Sequence, residues 1–197
     1  SHANILGAVG AFGQGMGDQD IAAAWAKGKV WFKVPKSVKI NLLGKRPENV
    51  SAKDIVLNML DEFGANTLLG YSVELYGEAI DKLSLDERIT ISSMGTEMGA
   101  IIVLITPSQE ILEYSSKASN REIELVQADA GAVYETEYEL DLSNFTPRVS
   151  IPGAPHDTTQ IENVKGRWID SAFIGSCTNG RYQAMDAAAT ALKGRHV

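Results

Sequence analysis

Strand-like and helix-like segments alternate along the first half of the chain, and this order constrains the fold most strongly. Residues 37–42 alternate polar and apolar side chains, which predicts a strand. Ser51 then opens a helix-like segment, with Asp54 at the position that completes a capping box. Residues 71–76 alternate again and precede a short helix at about 78–83. Strand, helix, strand and helix with short connections predict a layered α/β fold.

The remaining segments continue this pattern towards the end of the chain. Further strands are predicted at residues 100–105, 134–142 and 168–175, and further helices at residues 19–27, 87–100, 109–119, 120–133 and 182–193. Gly95 and Gly99 interrupt one predicted helix, which indicates a close-packed neighbour, because glycine costs a helix about 1 kcal/mol relative to alanine. The glycines of residues 4–17 lack the spacing of a dinucleotide-binding loop and predict a helix or turn packed through glycines.

Length, charge and cysteine content narrow the classes of protein further. The chain has 197 residues, enough for one large domain or two small ones, and prolines and glycines at 147–155 mark the expected boundary. A net charge of −7 without a cluster of lysine and arginine disfavours nucleic-acid binding. No apolar run reaches the ~18 residues of a membrane span, and no secretory signal is visible. The single cysteine, Cys177, excludes an intrachain disulfide framework and favours a reducing, cytoplasmic compartment.

Cys177 is the residue whose position most favours chemistry. It lies between the strand predicted at 168–175 and the helix predicted at 182–193. Open α/β sheets bind ligands at the carboxyl ends of strands, and a helix N-terminus favours a thiolate. These arguments leave three alternatives for Cys177: a nucleophile, a metal ligand or an inert buried cysteine. One cysteine cannot hold an iron–sulfur cluster alone, because such clusters usually need three or four thiolates.

Several motifs resemble those of the aconitase/isopropylmalate dehydratase family. Residues 174–181, Ile-Gly-Ser-Cys-Thr-Asn-Gly-Arg, resemble the first cluster-ligand motif of the isopropylmalate dehydratase and homoaconitase large subunits. Residues 93–100, Ser-Met-Gly-Thr-Glu-Met-Gly-Ala, resemble the family's Asn-Met-x-x-Glu-x-Gly-Ala active-site helix. Residues 1–2 resemble the end of its Asp-Ser-His motif, and residues 34–44 and 52–55 match its strand, glycine and Ala-Lys-Asp-helix pattern. The motifs keep the family's order over nearly the whole chain.

This resemblance implies a fold and a division into domains. We expect layered α/β/α aconitase-like iron–sulfur domains, of which this chain contains a part. Residues 1–34 would end a first α/β domain and residues 35–148 would form a second. Residues 149–197 would form a linker and the start of a third α/β domain, which carries the cluster cysteine. The absence of an initiator methionine and of a tail predicts an internal fragment that is inactive alone.

The resemblance also implies a reaction and roles for individual residues. We expect a [4Fe–4S]-dependent hydro-lyase of a 2-hydroxy diacid, with Cys177 as one of three cysteine ligands and the other two downstream of this chain. The resemblance implies further site residues: His2 and Glu97 as catalytic groups, Ser1 and Arg181 at the substrate, and Ser93 and Asn179 beside the cluster. Ser93 stands where the family usually has asparagine, and Ala3 stands where threonine is usual.

Substrate and partners follow from the same resemblance. Gly180-Arg181 after the Cys-Thr-Asn core favours the isopropylmalate/homoaconitate branch over mitochondrial-type aconitases, with 3-isopropylmalate of leucine biosynthesis as the expected substrate. Homoaconitase and aconitase-type dehydratases are the alternatives. In that branch a separate small subunit is expected, which implies a heteromer and no nucleic-acid or membrane partner. Two other classes are an iron-responsive RNA-binding relative, which the acidic charge disfavours, and a cofactor-free thiol enzyme that uses Cys177.

Overall fold

The structure is a computed structural model that describes residues 3–176 and 178–195. The helices of these ranges are α1 (Asp18–Lys27), α2 (Ala52–Phe63), α3 (Glu78–Asp81), α4 (Leu85–Ser93), α5 (Gln109–Ser119) and α6 (Tyr182–Leu192). The strands are β1 (Ser37–Leu43), β2 (Ser72–Tyr76), β3 (Ile102–Ile105), β4 (Thr136–Asp141), β5 (Arg148–Ser150) and β6 (Thr158–Gln160). Short 3-10 helices are η1 (Ala3–Val9), η2 (Met94–Met98), η3 (Leu142–Asn144) and η4 (Ile161–Val164). No helix in the described ranges is both long and apolar enough to cross a membrane.

Four parallel strands form the main sheet, in the order β3-β2-β1-β4. The register pairs Val38 with Val73 and Ile40 with Leu75 between β1 and β2. Strand β4 lies at the edge beside β1, as an exposed strand was predicted there, and it also runs parallel to its neighbour. Parallel strands joined through helices are the arrangement of an α/β fold, so the predicted fold class is confirmed.

The two faces of the sheet differ in polarity. Alternate residues of β1 are buried on the core face, where helices α2 and α4 and neighbouring segments contribute to one hydrophobic core. The opposite face carries Lys39, Glu74 and Tyr76. Tyr76 and Tyr134 both donate hydrogen bonds to Glu74 Oε2, at 2.7 and 2.8 Å. Burial raises the pKa of the Tyr76 hydroxyl, and the hydrogen bonds with Tyr134 and Glu74 raise it further. The polar groups of this face therefore satisfy one another.

Capping boxes define where two core helices begin. Ser51 accepts a hydrogen bond from the Asp54 backbone N–H at 3.2 Å, and the Ser51 N–H donates to the Asp54 carboxylate at 2.9 Å. The predicted capping box of α2 is therefore confirmed. Ser84 and Glu87 form the same reciprocal pair at the start of α4. These caps satisfy N–H groups that helix geometry leaves without a partner.

Two predicted elements are wrong, each because packing partners are lacking. Residues 121–133 are not helical, since Asn120 ends α5 with φ 53° and the following residues stay exposed, without a buried apolar stripe. Residues 168–175 do not form a strand. Trp168 and Phe173 are each 88% exposed, and no strand of the described residues lies alongside to pair with this backbone. The helix after Cys177 is confirmed as α6.

The proline-rich connection at 147–155 is held against α2. The Asn58 amide donates to Thr146 O at 2.8 Å and its Oδ1 accepts from the Thr146 N–H at 3.3 Å. The Arg148 N–H donates to the Asp54 carboxylate at 3.0 Å, and its guanidinium pairs with Asp61. Strands β5 and β6 form a small antiparallel hairpin here. The connection is therefore anchored, and whether it separates two domains stays a prediction.

Arg88 is a fully buried cation of α4. Its guanidinium donates to the carbonyl oxygens of Leu83 at 3.0 Å, Thr106 at 2.8 Å and Asp81 at 3.0 Å. Burial lowers the pKa of Arg88, and the Asp81 charge opposes that shift. These bonds connect the end of α3, the start of α4 and the residue after β3. Arg88 thus fixes the start of α4 relative to the sheet.

Replacing Arg88 by Met is expected to lower the free energy of unfolding by about 3 kcal/mol, because buried carbonyl groups lose their donors. Urea unfolding followed by circular dichroism measures the change. Lys82→Met is the matched control, since the Lys82 side chain is 72% exposed and pairs with Glu78 on the surface. A loss below about 1 kcal/mol for Arg88→Met would contradict this role.

Candidate active site

Helix α4 contacts all three segments in which the sequence predicts site residues. Segment η1 follows Ser1 and His2 and packs on α4 and β3. Helix η2 continues α4 and contains Glu97. The loop around Cys177 hydrogen-bonds to Thr90 of α4. Ser1, His2 and Cys177 themselves lie outside the described residues, so their predicted roles rest on the sequence. The described residues next to them in the sequence contact α4.

Segment η1 is held closely between α4 and β3. The buried Asn4 side chain donates to Ile101 O at 2.6 Å. A Cβ atom added at Gly7 would lie 1.9 Å from Val103 O and 3.3 Å from Ser92 Oγ. Only glycine can approach the strand backbone so closely. The prediction that residues 4–17 pack through glycines is confirmed for η1, and the packing fixes the backbone that follows His2.

The segment from Ser93 to Gly99 is a tightened helix end. Ser93 is 1% exposed, and its hydroxyl donates to Thr90 O at 3.0 Å. The chain then narrows from α-helix to the 3-10 helix η2, which Gly99 ends with φ 78°. A Cβ atom at Gly95 would lie 2.5 Å from Val103 Cγ2, and one at Gly99 would lie 2.6 Å from Ala65 O. The glycines therefore provide the space that the sequence indicated.

Glu97 is a half-buried carboxylate in η2. Within residues 3–176 and 178–195 it has neither a hydrogen bond nor an ion pair with another side chain. A carboxylate that a structural role required in this position would be expected to have a partner. Because Glu97 follows the α-helical part of the segment, it does not share a single α-helical face with Ser93. The arrangement leaves Glu97 available to contact a bound molecule.

The turn around Cys177 is braced from within. The Ser176 hydroxyl accepts hydrogen bonds from the N–H groups of Thr178 at 3.3 Å and Asn179 at 2.9 Å. A Cβ atom at Gly180 would lie 2.7 Å from Ser176 O and 2.8 Å from Ser176 N. Residues 176 and 180 thus approach closely enough to require glycine. The described residues on both sides of Cys177 form one compact turn.

Arg181 holds the same turn to α4. Its Nη1 donates to Thr178 O at 3.1 Å, and its Nε pairs with Asp86 at 3.3 Å. The Thr90 hydroxyl also lies 3.1 Å from Thr178 O. The sequence predicted Arg181 at the substrate, whereas these contacts tie its guanidinium to protein groups. Asp86 and Thr90 were not anticipated, although their positions seven and three residues before Ser93 put all three on one side of α4.

A groove of about 450 Å³ lies between α2, α4 and α6. Asn179 and Arg181 line it, together with the ion pair of Arg46 and Glu87, whose Nη1 and Oε1 are 2.6 Å apart. Burial alone would raise the pKa of Glu87, but hydrogen bonds from Arg46 and Ser84 hold it below its ordinary value. Glu97 does not line this groove.

Comparison with known proteins assigns the chain to a family. The sequence model of the aconitase family (aconitate hydratase) matches residues 1–197. The chain belongs to the aconitase family. It is 40% identical over 197 residues to the 3-isopropylmalate dehydratase large subunit 1 of Methanopyrus kandleri. It is 42% identical over 197 residues to the 3-isopropylmalate dehydratase large subunit of Clostridium kluyveri, and 42% identical over 198 residues to the homoaconitase large subunit of Thermus thermophilus.

These alignments cover the whole chain but only part of each aconitase-family relative. They include 100% of this chain and 47%, 47% and 46% of the three relatives, respectively. The chain therefore spans about half the length of the curated relatives it matches. The predicted family membership is confirmed. The motifs around Cys177 and Glu97, which carried that prediction, both contact or continue α4.

The donor set of this aconitase-family chain limits what it can hold alone. Residues 3–176 and 178–195 contain no group of three His, Cys, Asp or Glu side chains placed to hold a metal ion. The chain has a single thiol, Cys177, and thiolate is the donor that iron–sulfur clusters require. A single thiol can supply one ligand of such a cluster, so any remaining thiolate ligands would have to come from outside this chain.

Proposed function

We propose that the protein containing this chain is a hydro-lyase that removes water from a 2-hydroxy diacid and adds it back in the other orientation. The observation that carries the proposal is that described segments belonging to or adjoining three family motifs contact or continue α4. There η1, the Glu97 segment and the Cys177 turn all pack on or continue one helix. Identity of about 40% over the whole chain to dehydratase and homoaconitase large subunits supports it.

Cys177 is proposed as one thiolate ligand of a [4Fe–4S] cluster, with two more thiolates supplied from outside this chain. When bound, such a cluster supplies a Lewis-acidic iron that polarises the hydroxyl group of the substrate. Asn179 lies two residues from Cys177 in the braced turn, and Ser93 is buried one helical turn beyond Thr90. Both are proposed to surround the cluster. Serine in place of the usual asparagine shortens the side chain at that position.

Glu97 is proposed to move the proton that accompanies loss or addition of water. A carboxylate can donate a proton to a departing hydroxyl group and accept one from an attacking water. Its lack of a partner among the described residues leaves the carboxylate free for this contact. His2 is proposed to hydrogen-bond the substrate hydroxyl, and Ser1 to line the same pocket, as the family resemblance implies. Arg181 is proposed to bind the substrate at the edge of the site.

The substrate proposed is 3-isopropylmalate, with homocitrate, the hydrated form of homoaconitate, as the alternative. Both substrate classes are represented in the names of the relatives, at 40% and 42% identity. Because those relatives are named large subunits, we also propose that a separate small subunit completes the enzyme. The 2-hydroxy diacids differ in the side chain beyond the reacting carbons. The protein residues that contact this part of the substrate would lie away from the common dehydration site.

The assembled enzyme containing this chain, with its small subunit, is expected to convert 3-isopropylmalate into an alkene diacid. Ultraviolet absorption of the conjugated product follows the reaction directly. Homocitrate serves as the competing substrate, and the ratio of kcat/KM values decides the preference. A preference for homocitrate would select the homoaconitase alternative. Failure to dehydrate either acid, in a preparation with intact iron and sulfide, would contradict the proposed function.

A further inference from the structure

One side of α4 carries the groups that hold the Cys177 turn. Asp86, Thr90 and Ser93 are separated by four and three residues, which places them along one stripe of the helix. Thr90 and Ser93 are both buried, and the Ser93 hydroxyl donates to Thr90 O at 3.0 Å. Directly after Ser93 the chain continues into η2 and Glu97. The stripe therefore runs from the turn of the predicted ligand towards the predicted acid–base group.

The carbonyl oxygen of Thr178 is the point where this stripe holds the turn. The Thr90 hydroxyl approaches it at 3.1 Å and Arg181 Nη1 at 3.1 Å. The Thr90 hydroxyl also lies 3.1 Å from Asp86 O, so its one proton is shared between two carbonyl groups. Asp86 in turn pairs with Arg181 Nε at 3.3 Å. The Thr90 hydroxyl and the Arg181 guanidinium therefore both hold the carbonyl group of Thr178, the residue that follows Cys177 in the sequence.

A second contact fixes α6 to the start of α4. The Ser84 hydroxyl lies 3.3 Å from Gln183 Oε1, beyond the turn. Within the turn, Ser176 accepts from two backbone N–H groups, and Gly180 lies against the Ser176 backbone. The turn is therefore closed by its own residues and attached to α4 by others. Because these contacts are separate, loss of the attachment need not open the turn itself.

We propose that Asp86 and Thr90 are positioning residues, which hold Thr178 and Arg181 so that the turn around Cys177 is attached to α4 before iron binds. This inference rests on the proposed function, because it assumes that Cys177 is a cluster ligand. Neither residue touches the reacting atoms in this account. A ligand-bearing loop that is already ordered loses less conformational freedom when the metal binds. The cluster is then retained longer than it would be on a turn detached from α4.

Thr90→Val tests the positioning, because it removes the hydroxyl and keeps the shape. In iron-free protein, amide hydrogen exchange of residues 178–182 is expected to become about tenfold faster, the factor for loss of one net hydrogen bond. Exchange in β1 should stay unchanged. Thr90→Ser should restore slow exchange, and Thr136→Val in the exposed edge strand is the matched control. Asp86→Asn, which weakens the ion pair with Arg181, is the second variant if Thr90→Val fails to fold.

The second readout is retention of the cluster in the assembled enzyme. Visible absorption followed during exposure to an iron chelator should decay several-fold faster for Thr90→Val and Asp86→Asn than for Thr90→Ser and Thr136→Val. Unchanged exchange at 178–182 would overturn the positioning role. Faster exchange with unchanged cluster decay would overturn its connection to Cys177. A wild-type enzyme without any cluster would instead reject the proposed function, and the connection to Cys177 with it, while exchange still decides whether α4 orders the turn.

Discussion

Replacing Glu97 by Gln is expected to lower kcat of the assembled enzyme by about 10²–10⁴-fold, the usual contribution of a positioned acid–base group. Glutamine has nearly the same shape but cannot transfer a proton at neutral pH. Since Glu97 has no ion pair among the described residues, the substitution breaks no salt bridge there. The free energy of unfolding should therefore change by less than about 0.5 kcal/mol. KM should change little if Glu97 acts mainly in the transition state.

Steady-state kinetics over a range of pH, with equal iron content in each preparation, measures this effect. Glu110→Gln on the exposed surface of α5 is the matched control and should leave kcat unchanged. A Glu97→Gln enzyme with wild-type turnover would remove Glu97 from the mechanism and leave it a surface residue of η2.

Elements defined by local signals were predicted well from the sequence. The Ser51 capping box, the end of α1 at Gly28 and the alternation in β1 each depend on a few neighbouring residues, and all appear in the structure. These features depend on backbone geometry that neighbouring side chains determine. The glycine positions of η1 and η2 were also informative, because close backbone approach leaves few other residues possible.

Elements that depend on distant partners were not predictable in the same way. Residues 168–175 have strand-like composition, yet a strand also needs a neighbour, and none of the described strands pairs with them. Residues 121–133 have helix-forming residues, yet no apolar stripe of the segment is buried. Composition alone cannot supply the packing that stabilises either element.

The residues of the candidate site also differ in whether a local sequence pattern predicts them. Glu97 and the turn around Cys177 could be found because their motifs are contiguous in sequence. The contacts of Asp86 and Thr90 with Arg181 and Thr178 join residues about ninety positions apart, and no local pattern distinguishes them from ordinary helix residues. Arg181 belongs to both groups: its motif predicts substrate contact, which stays a prediction, while its contacts with Thr178 and Asp86 appear only in the structure.

Replacing Cys177 by Ala is expected to prevent stable cluster assembly altogether. Cys177 is the only cysteine in the 197 residues, so no neighbouring thiol of this chain can replace it. A cluster with one thiolate fewer loses the ligand that joins it to the α4 side of the site. The protein should remain folded, because the hydrophobic core lies between residues 38 and 142. Circular dichroism and thermal unfolding should therefore match the wild type in iron-free protein.

Cys177→Ser is a stricter variant, because it keeps the size of the side chain and replaces sulfur by oxygen. It is expected to assemble little or no cluster, since a hydroxyl group is a poor ligand for these irons at neutral pH. Thr67→Ala, on the exposed surface after α2, provides a control for handling and reconstitution. It should assemble the cluster as the wild type does.

Iron and acid-labile sulfide, measured per assembled enzyme in the wild type and in Cys177→Ala, show whether Cys177 is a ligand of the cluster. We expect about four of each in the wild type, with the matching visible absorption, and loss of both in the variant. An active wild-type enzyme without iron, or a Cys177→Ala enzyme with the full cluster absorption, would contradict this expectation.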